Sequence, residues 1–139
     1  MMAVLQLAQS TTLLRLTLHV LAACVWVGGQ LVLGGLMPTI RGLGDGAASK
    51  AAKAFGRLSW PAFWLLVATG FWNYAAVHGE QATSAWSTVF AIKMIVVLGT
   101  GVFSFAHTRS TSARARGVTA GLGLLCSIAA LVLGVALAG

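Results

Sequence analysis

Four long apolar stretches alternate with short polar segments along this chain. They cover residues 13–37, 59–77, 87–106 and 118–138, and none shows the strict alternation that is typical of a half-buried strand. A helix needs about 20 mostly apolar residues to cross the hydrocarbon core of a bilayer. The pattern therefore predicts an all-α integral membrane protein, in which residues 1–139 form a single four-helix transmembrane bundle.

The prolines and a basic segment set the expected helix ends. We expect the first span to stop at Pro38, and the second to carry Pro61 in its first turn, where a missing N–H costs little. Between them, the segment AASKAAKAFGRL is rich in helix formers and places Lys50, Lys53 and Arg57 on one side. This segment predicts a short, separate helix at the membrane interface.

Composition agrees with the membrane interpretation. Hydrophobic residues make up 58% of the chain and charged residues only 8%, whereas roughly a quarter of a soluble domain is charged. The net charge of +7 arises mainly from the connections 38–58 and 107–117. Basic residues near span ends favour the cytoplasmic side. We therefore expect both connections in the cytoplasm, both termini outside, and a location in the bacterial plasma membrane, with no need for a nucleic-acid partner.

Two basic side chains fall inside the predicted spans. His19 and Lys93 each lie about six residues, or roughly 9 Å, below the outer boundary. Both are costly to expose to lipid. His19 either forms a hydrogen bond with a backbone carbonyl or a neighbouring Ser or Thr, or it binds copper or haem iron. Lys93 either extends to the outer head groups or points into the bundle toward an anionic group, such as a propionate or Glu80.

Further polar groups are expected near the same outer mouth. His78 and Glu80 lie in the second connection, and Asn73 ends the second span. Met94 adds a sulfur ligand, but on a helix it should point about 100° away from Lys93, so the two should not face one pocket equally. We predict His19, His78 and Met94 as candidate ligands of a metal or haem. Lys93, Glu80 and Asn73 are the predicted polar partners.

The remaining motifs indicate packing rather than catalysis. The chain shows no phosphate loop, no HExxH motif and no visible nucleophile–base–acid set, so a catalytic role stays open without a named catalytic residue. Small residues let helices approach closely in lipid. On this ground we assign packing roles to a tryptophan and five glycines: Trp26, Gly28, Gly29, Gly35, Gly117 and Gly121. The last two could lie at an interface within the chain or between copies.

The stretch LHVLAACVWVGG also resembles a known family. His19 followed seven residues later by Trp26, with Gly28 and Gly29, is similar to the first helix of the copper-resistance D (CopD) type membrane domain. The third span, FAIKM with Lys93, resembles the lysine-bearing helix of that family. HemJ-type membrane proteins share the spacing, the lysine-bearing helix and the four-helix layout.

The two resemblances imply different functions. Similarity to CopD implies copper transfer or homeostasis, with His19 as the ligand, Trp26 and Gly29 as a packing pair and Lys93 as a polar partner. Similarity to HemJ implies b-type haem and a redox role. The WVGG motif resembles CopD more than HemJ, so we expect copper ion binding near the outer face. The alternatives are a haem b protein and a non-catalytic accessory subunit of a homo-oligomer or larger membrane complex.

Overall fold

The computed structural model describes residues 10–77 and 82–139, and every regular element within them is helical. His78 and Glu80 lie outside the described residues. The elements are α1 (Ser10–Ala23), α2 (Gly29–Gly42), α3 (Ala47–Val77), α4 (Ser84–Arg109) and α5 (Ala113–Ala138). A single π-helical turn, Cys24–Gly28, joins α1 to α2 without a break, so Ser10–Gly42 forms one long helix.

Three helices of the described chain are long and apolar enough to cross a membrane. They are Ser10–Gly42, Ser84–Arg109 and Ala113–Ala138, with mean hydropathies of 1.9, 2.1 and 2.4. The second predicted span, 59–77, lies in the C-terminal part of α3, which is not among them. Its apolar section carries several tryptophans and Asn73, which lower its mean hydropathy.

Neither proline ends a helix, so the expectation for Pro38 was wrong. The helix continues through Pro38 to Gly42, although the proline removes the N–H that would bond to the carbonyl of Gly34 and its ring crowds that carbonyl. The chain leaves the helix two residues later, at Gly44. Its φ of +121° lies in a region that glycine adopts and other residues avoid.

The expected separate interfacial helix is likewise absent from the described chain. Residues 47–58 continue directly into the second apolar stretch as α3, and Pro61 lies in the helix interior rather than in its first turn. A tertiary contact accompanies this extension: the Phe55 ring packs so closely on Gly29 of α2 that a Cβ there would overlap it. The basic segment is thus held against the first long helix.

Local capping sets the limits of α4 and α5. Thr83 Oγ1 accepts a hydrogen bond from the N–H of Trp86 at 3.1 Å, and Ser112 Oγ accepts one from Ala115 at the same distance. Both helices therefore begin earlier than their apolar stretches. At the turn between them, His107 Nδ1 donates to the Arg116 carbonyl at 2.9 Å, so this histidine ties the two helix ends together.

The helices pack as two pairs that meet at an aromatic core. The first long helix lies against α3, and α4 lies against α5 in the most extensive contact of the described chain. Trp26, Val27 and Phe63 are buried where the pairs meet, with the Trp26 and Phe63 ring centroids 4.7 Å apart. Gly101 of α4 faces the Phe63 ring directly. This core fixes the height at which one pair stands against the other.

Candidate functional site

A cavity of about 70 Å³ lies between the two helix pairs, on the His19 side of the aromatic core. All four long helices contribute to its lining. His19, Lys93 and Met94 all border it, so the structure brings these three candidate residues together. Lys93 and Met94 both line it, although they lie about 100° apart around α4.

The hydrogen bond of His19 determines which ring nitrogen is available. His19 Nδ1 lies 2.7 Å from Thr69 Oγ1 on α3, and the Thr69 hydroxyl donates its one proton to the Leu65 carbonyl at 2.6 Å. Since Thr69 has no second proton, Nδ1–H must be the donor. This tautomer leaves the Nε2 lone pair of His19 free to bind a ligand, an arrangement that many metal-binding histidines share.

Lys93 borders the cavity from α4 and has no anionic partner in the described chain. Its Nζ stands 3.1 Å from the position that a Cβ at Gly134 would occupy, so glycine on α5 makes room for the ammonium. Within residues 10–77 and 82–139, the acidic side chains amount to Asp45 alone, in the connection between α2 and α3. The cavity therefore holds a cationic group whose charge no described carboxylate balances.

The inner end of the cavity is closed by a hydrogen-bonded network. Thr100 Oγ1 accepts from Trp26 Nε1 at 3.3 Å and lies 2.6 Å from Ser127 Oγ. Ser127 in turn accepts from Gln30 Nε2 at 3.1 Å. These bonds link three of the long helices at mid-length. Thr100, Ser127 and Gln30 were not among the predicted site residues, although their isolated polar side chains within apolar stretches were the available signal.

The π turn, Cys24–Gly28, was also missed. It lies just inward of His19 and carries Trp26 and Val27 into the core. Such wide turns are frequent at functional sites because the extra residue alters which side chains face inward. The string CVWVG contains no feature that distinguishes a π turn from an α-helix, so the sequence offered no signal for it.

The other predicted polar partners do not join the cavity. Asn73 is absent from its lining, and the Oδ1 atom of Asn73 is buried with no hydrogen-bond partner among the described residues. The predicted contributions of His78 and Glu80 lie outside the described residues and stay predictions. Arg15, one turn before His19 on α1, is buried, with 8% of its surface exposed.

The predicted packing residues divide into two groups. Trp26 is buried in the core, and Gly29 packs against Phe55. The other four glycines have open space where a side chain would stand: Gly28, Gly35, Gly117 and Gly121. Close helix contacts occur instead at Gly101, which meets Phe63, and at Gly123, which meets Ser104.

The cavity lining offers two possible metal ligands, the His19 imidazole and the Met94 thioether, beside the Lys93 ammonium, which has no lone pair to donate. No group of three His, Cys, Asp or Glu side chains that could hold a metal ion occurs in the part of the chain that the structure describes. The two cysteines do not add such a group: Cys24 is exposed, and Cys126 Sγ lies beside Gly99 of α4.

Comparison of the chain with protein-family models, with curated proteins and with solved structures finds no significant match. The resemblance to CopD and HemJ therefore stays a prediction.

Proposed function

We propose that the protein spans the membrane four times, with α3 as the fourth crossing helix and both termini outside. Two observations support this proposal. The C-terminal part of α3 packs along the first long helix, and its Phe63 ring enters the core shared with α4. A crossing by α3 also brings both basic connections to one side, as the distribution of Lys and Arg favours.

Within this bundle, we propose a copper-ion site at the cavity, with a role in copper transfer or homeostasis. The observation that carries the proposal is the His19–Thr69 hydrogen bond, because it leaves the Nε2 lone pair free on a histidine that borders the cavity together with Met94. Imidazole nitrogen and thioether sulfur suit Cu(I). A volume of about 70 Å³ accommodates an ion or a few waters, since one water needs roughly 10–15 Å³ of such space.

Lys93 has a defined effect in this proposal. An ammonium group in the same cavity repels a metal cation, and the low polarity of the lining strengthens that repulsion. Lys93 therefore weakens copper binding unless an anion accompanies the ion. We expect Lys93→Leu, which removes the charge without adding a sulfur ligand, to raise the Cu(I) affinity.

The test is Cu(I) competition between detergent-purified protein and a coloured chelator. His19→Ala should lower the affinity at least tenfold, and Met94→Leu should lower it by less. His107→Ala is the matched control, because this histidine bonds to Arg116 at the other end of α4 and should leave the affinity unchanged. Equal binding by the parent and His19→Ala would refute the copper site.

Haem b is the second candidate, and the unbalanced charge of Lys93 favours it. Lys93 could pair with a propionate while His19 Nε2 supplies an axial ligand. The cavity volume argues against it, because sites for cofactor-sized molecules usually enclose about 300–1,000 Å³. A Soret band in protein purified from haem-replete cells, lost in His19→Ala, would replace the copper proposal with this one.

The accessory-subunit interpretation rests on the glycines that have no neighbour within the described chain. Small residues on a helix surface allow close approach of another helix in lipid. Gly28→Leu or Gly35→Leu should then abolish co-purification with a partner or a second copy, while His19→Ala should not affect it. If neither protein nor ligand is bound by the parent, both this interpretation and the copper site fail.

A further inference from the structure

Seven exposed basic side chains gather at one end of the helices. Asp45 is the one described acidic residue near them, and the structure shows no ion pair for any of the seven with a described residue. They are Arg41, Lys50, Lys53, Arg57, Arg109, Arg114 and Arg116.

The core contacts give the heights of these residues along the bundle. Trp26 contacts both Phe63 and Thr100, and Thr100 contacts Ser127, so these residues mark a common level. Counting about 1.5 Å per residue from that level places Lys53, Arg109 and Arg116 roughly 14–17 Å toward the inner end. The same count places Lys50, Arg41 and Arg114 at roughly 20–23 Å.

This common level corresponds to the middle of a bilayer. The stacked rings of Tyr74 and Trp86 lie roughly 17 and 21 Å away in the opposite direction by the same count. Since a hydrocarbon core is about 30 Å thick, the aromatic rings fall at one head-group boundary and six of the seven basic side chains at the other. The seventh, Arg57, lies roughly 9 Å from the common level and reaches toward the same boundary with its long side chain. The basic groups of both helix pairs therefore occupy two depths, roughly 14–17 and 20–23 Å from the common level, so they form a step rather than a flat ring.

We propose that this inner basic step binds the phosphate groups of anionic phospholipids in the facing leaflet. The proposal rests on the four-span arrangement but not on the copper site. Charge complementarity selects the occupant, because the step has several unpaired cations at the depth of the lipid phosphates. Each basic residue beside an anionic surface strengthens binding about fivefold at low salt. Screening by salt reduces this effect for exposed groups.

The experiment measures lipid selectivity by quenching of tryptophan fluorescence. Trp64 is 63% exposed close to the common level, so brominated lipids beside the bundle can quench it. The protein is reconstituted in phosphatidylcholine with brominated phosphatidylglycerol or brominated phosphatidylcholine. Replacing Trp72 and Trp86 by Phe removes the outermost indoles. We expect about a tenfold preference for the anionic lipid that falls as salt is raised.

Variants identify the groups responsible. Lys50→Gln, Lys53→Gln and Arg57→Gln combined should lower the preference without abolishing it, because four basic residues remain, whereas Lys50→Arg with Lys53→Arg should keep it. All three positions are exposed, so folding should be retained, and circular dichroism checks this. Equal quenching by the two lipids, or an unchanged preference in the Gln variant, would overturn the proposal. Loss of the preference upon addition of inorganic phosphate would instead identify a free-phosphate site. The Cu(I) competition assay decides the copper site separately.

Discussion

Gly101 provides a sharp test of how the two helix pairs meet. A Cβ at this position would lie 2.8 Å from Phe63 Cζ and 3.3 Å from Cε1. The Phe63 side chain is only 4% exposed, and its ring centroid lies 4.7 Å from that of Trp26 and 5.7 Å from that of Trp60. Because these indoles enclose the ring, it cannot rotate away, and Gly101→Ala must push the helices apart.

The expected magnitude follows from two opposing effects. Overpacking a closed core costs about 1–3 kcal/mol, whereas alanine favours a helix over glycine by up to about 1 kcal/mol. We expect Gly101→Ala to lower the free energy of unfolding by about 1–2 kcal/mol. Gly117→Ala is the matched control, because no atom lies within 4 Å of its Cβ position. This control should leave stability unchanged or raise it by up to about 1 kcal/mol.

The assay is reversible unfolding in mixed detergent micelles, titrated with a denaturing detergent and followed by circular dichroism. Adding Phe63→Leu to Gly101→Ala should recover part of the loss, because a smaller side chain relieves the overlap and the two residues are directly coupled. A Gly101→Ala variant as stable as the parent would refute the proposed core. So would an equal loss in Gly117→Ala, because that loss could not arise from contact with Phe63.

Three further predictions concern the hydrogen bonds and the topology. Thr69→Val removes the acceptor for His19 Nδ1–H and should lower the free energy of unfolding by about 0.6–1.7 kcal/mol in the same assay. A double-mutant cycle with His19→Phe measures the coupling between the two side chains, and zero coupling would contradict the bond. Ser127→Ala, at a residue 1% exposed, leaves Gln30 and Thr100 short of a partner and should cost about 1–3 kcal/mol. The control Thr88→Ala, on an exposed residue whose bond stays within α4, should change stability by less than about 0.5 kcal/mol. In a protein without Cys24 and Cys126, single cysteines at positions 50 and 114 should be labelled from the cytoplasmic side and one at position 80 from outside. Labelling of positions 50 and 80 from the same side would mean that α3 does not cross the membrane.

Local sequence signals predicted much of the helical structure. Runs of apolar residues predicted the helical segments. The clustering of Lys and Arg predicted that the connections 38–58 and 107–117 are both basic. Thr83 and Ser112 cap their helices through bonds that reach only three residues along the chain. The helix ends predicted from Pro38 and Pro61 were wrong. A proline weakens a helix only locally, and both helices continue past their proline, accompanied by tertiary contacts such as that of Phe55 with Gly29.

The candidate site depended on information that the sequence pattern does not carry. Helices that are apolar on every side show no stripe to indicate which face turns inward. Nothing in the pattern pairs His19 with Thr69, or places Lys93 opposite Gly134, because these pairings follow from the rotation and relative height of separate helices. The rotation and relative height of the helices also determined which glycines contact a neighbouring helix and which have open space beside them. The sequence by itself determined that the chain is helical and where its charges fall. Only the tertiary structure determined which polar groups share the cavity, because helix-to-helix packing is set by side-chain shape between residues distant in the chain.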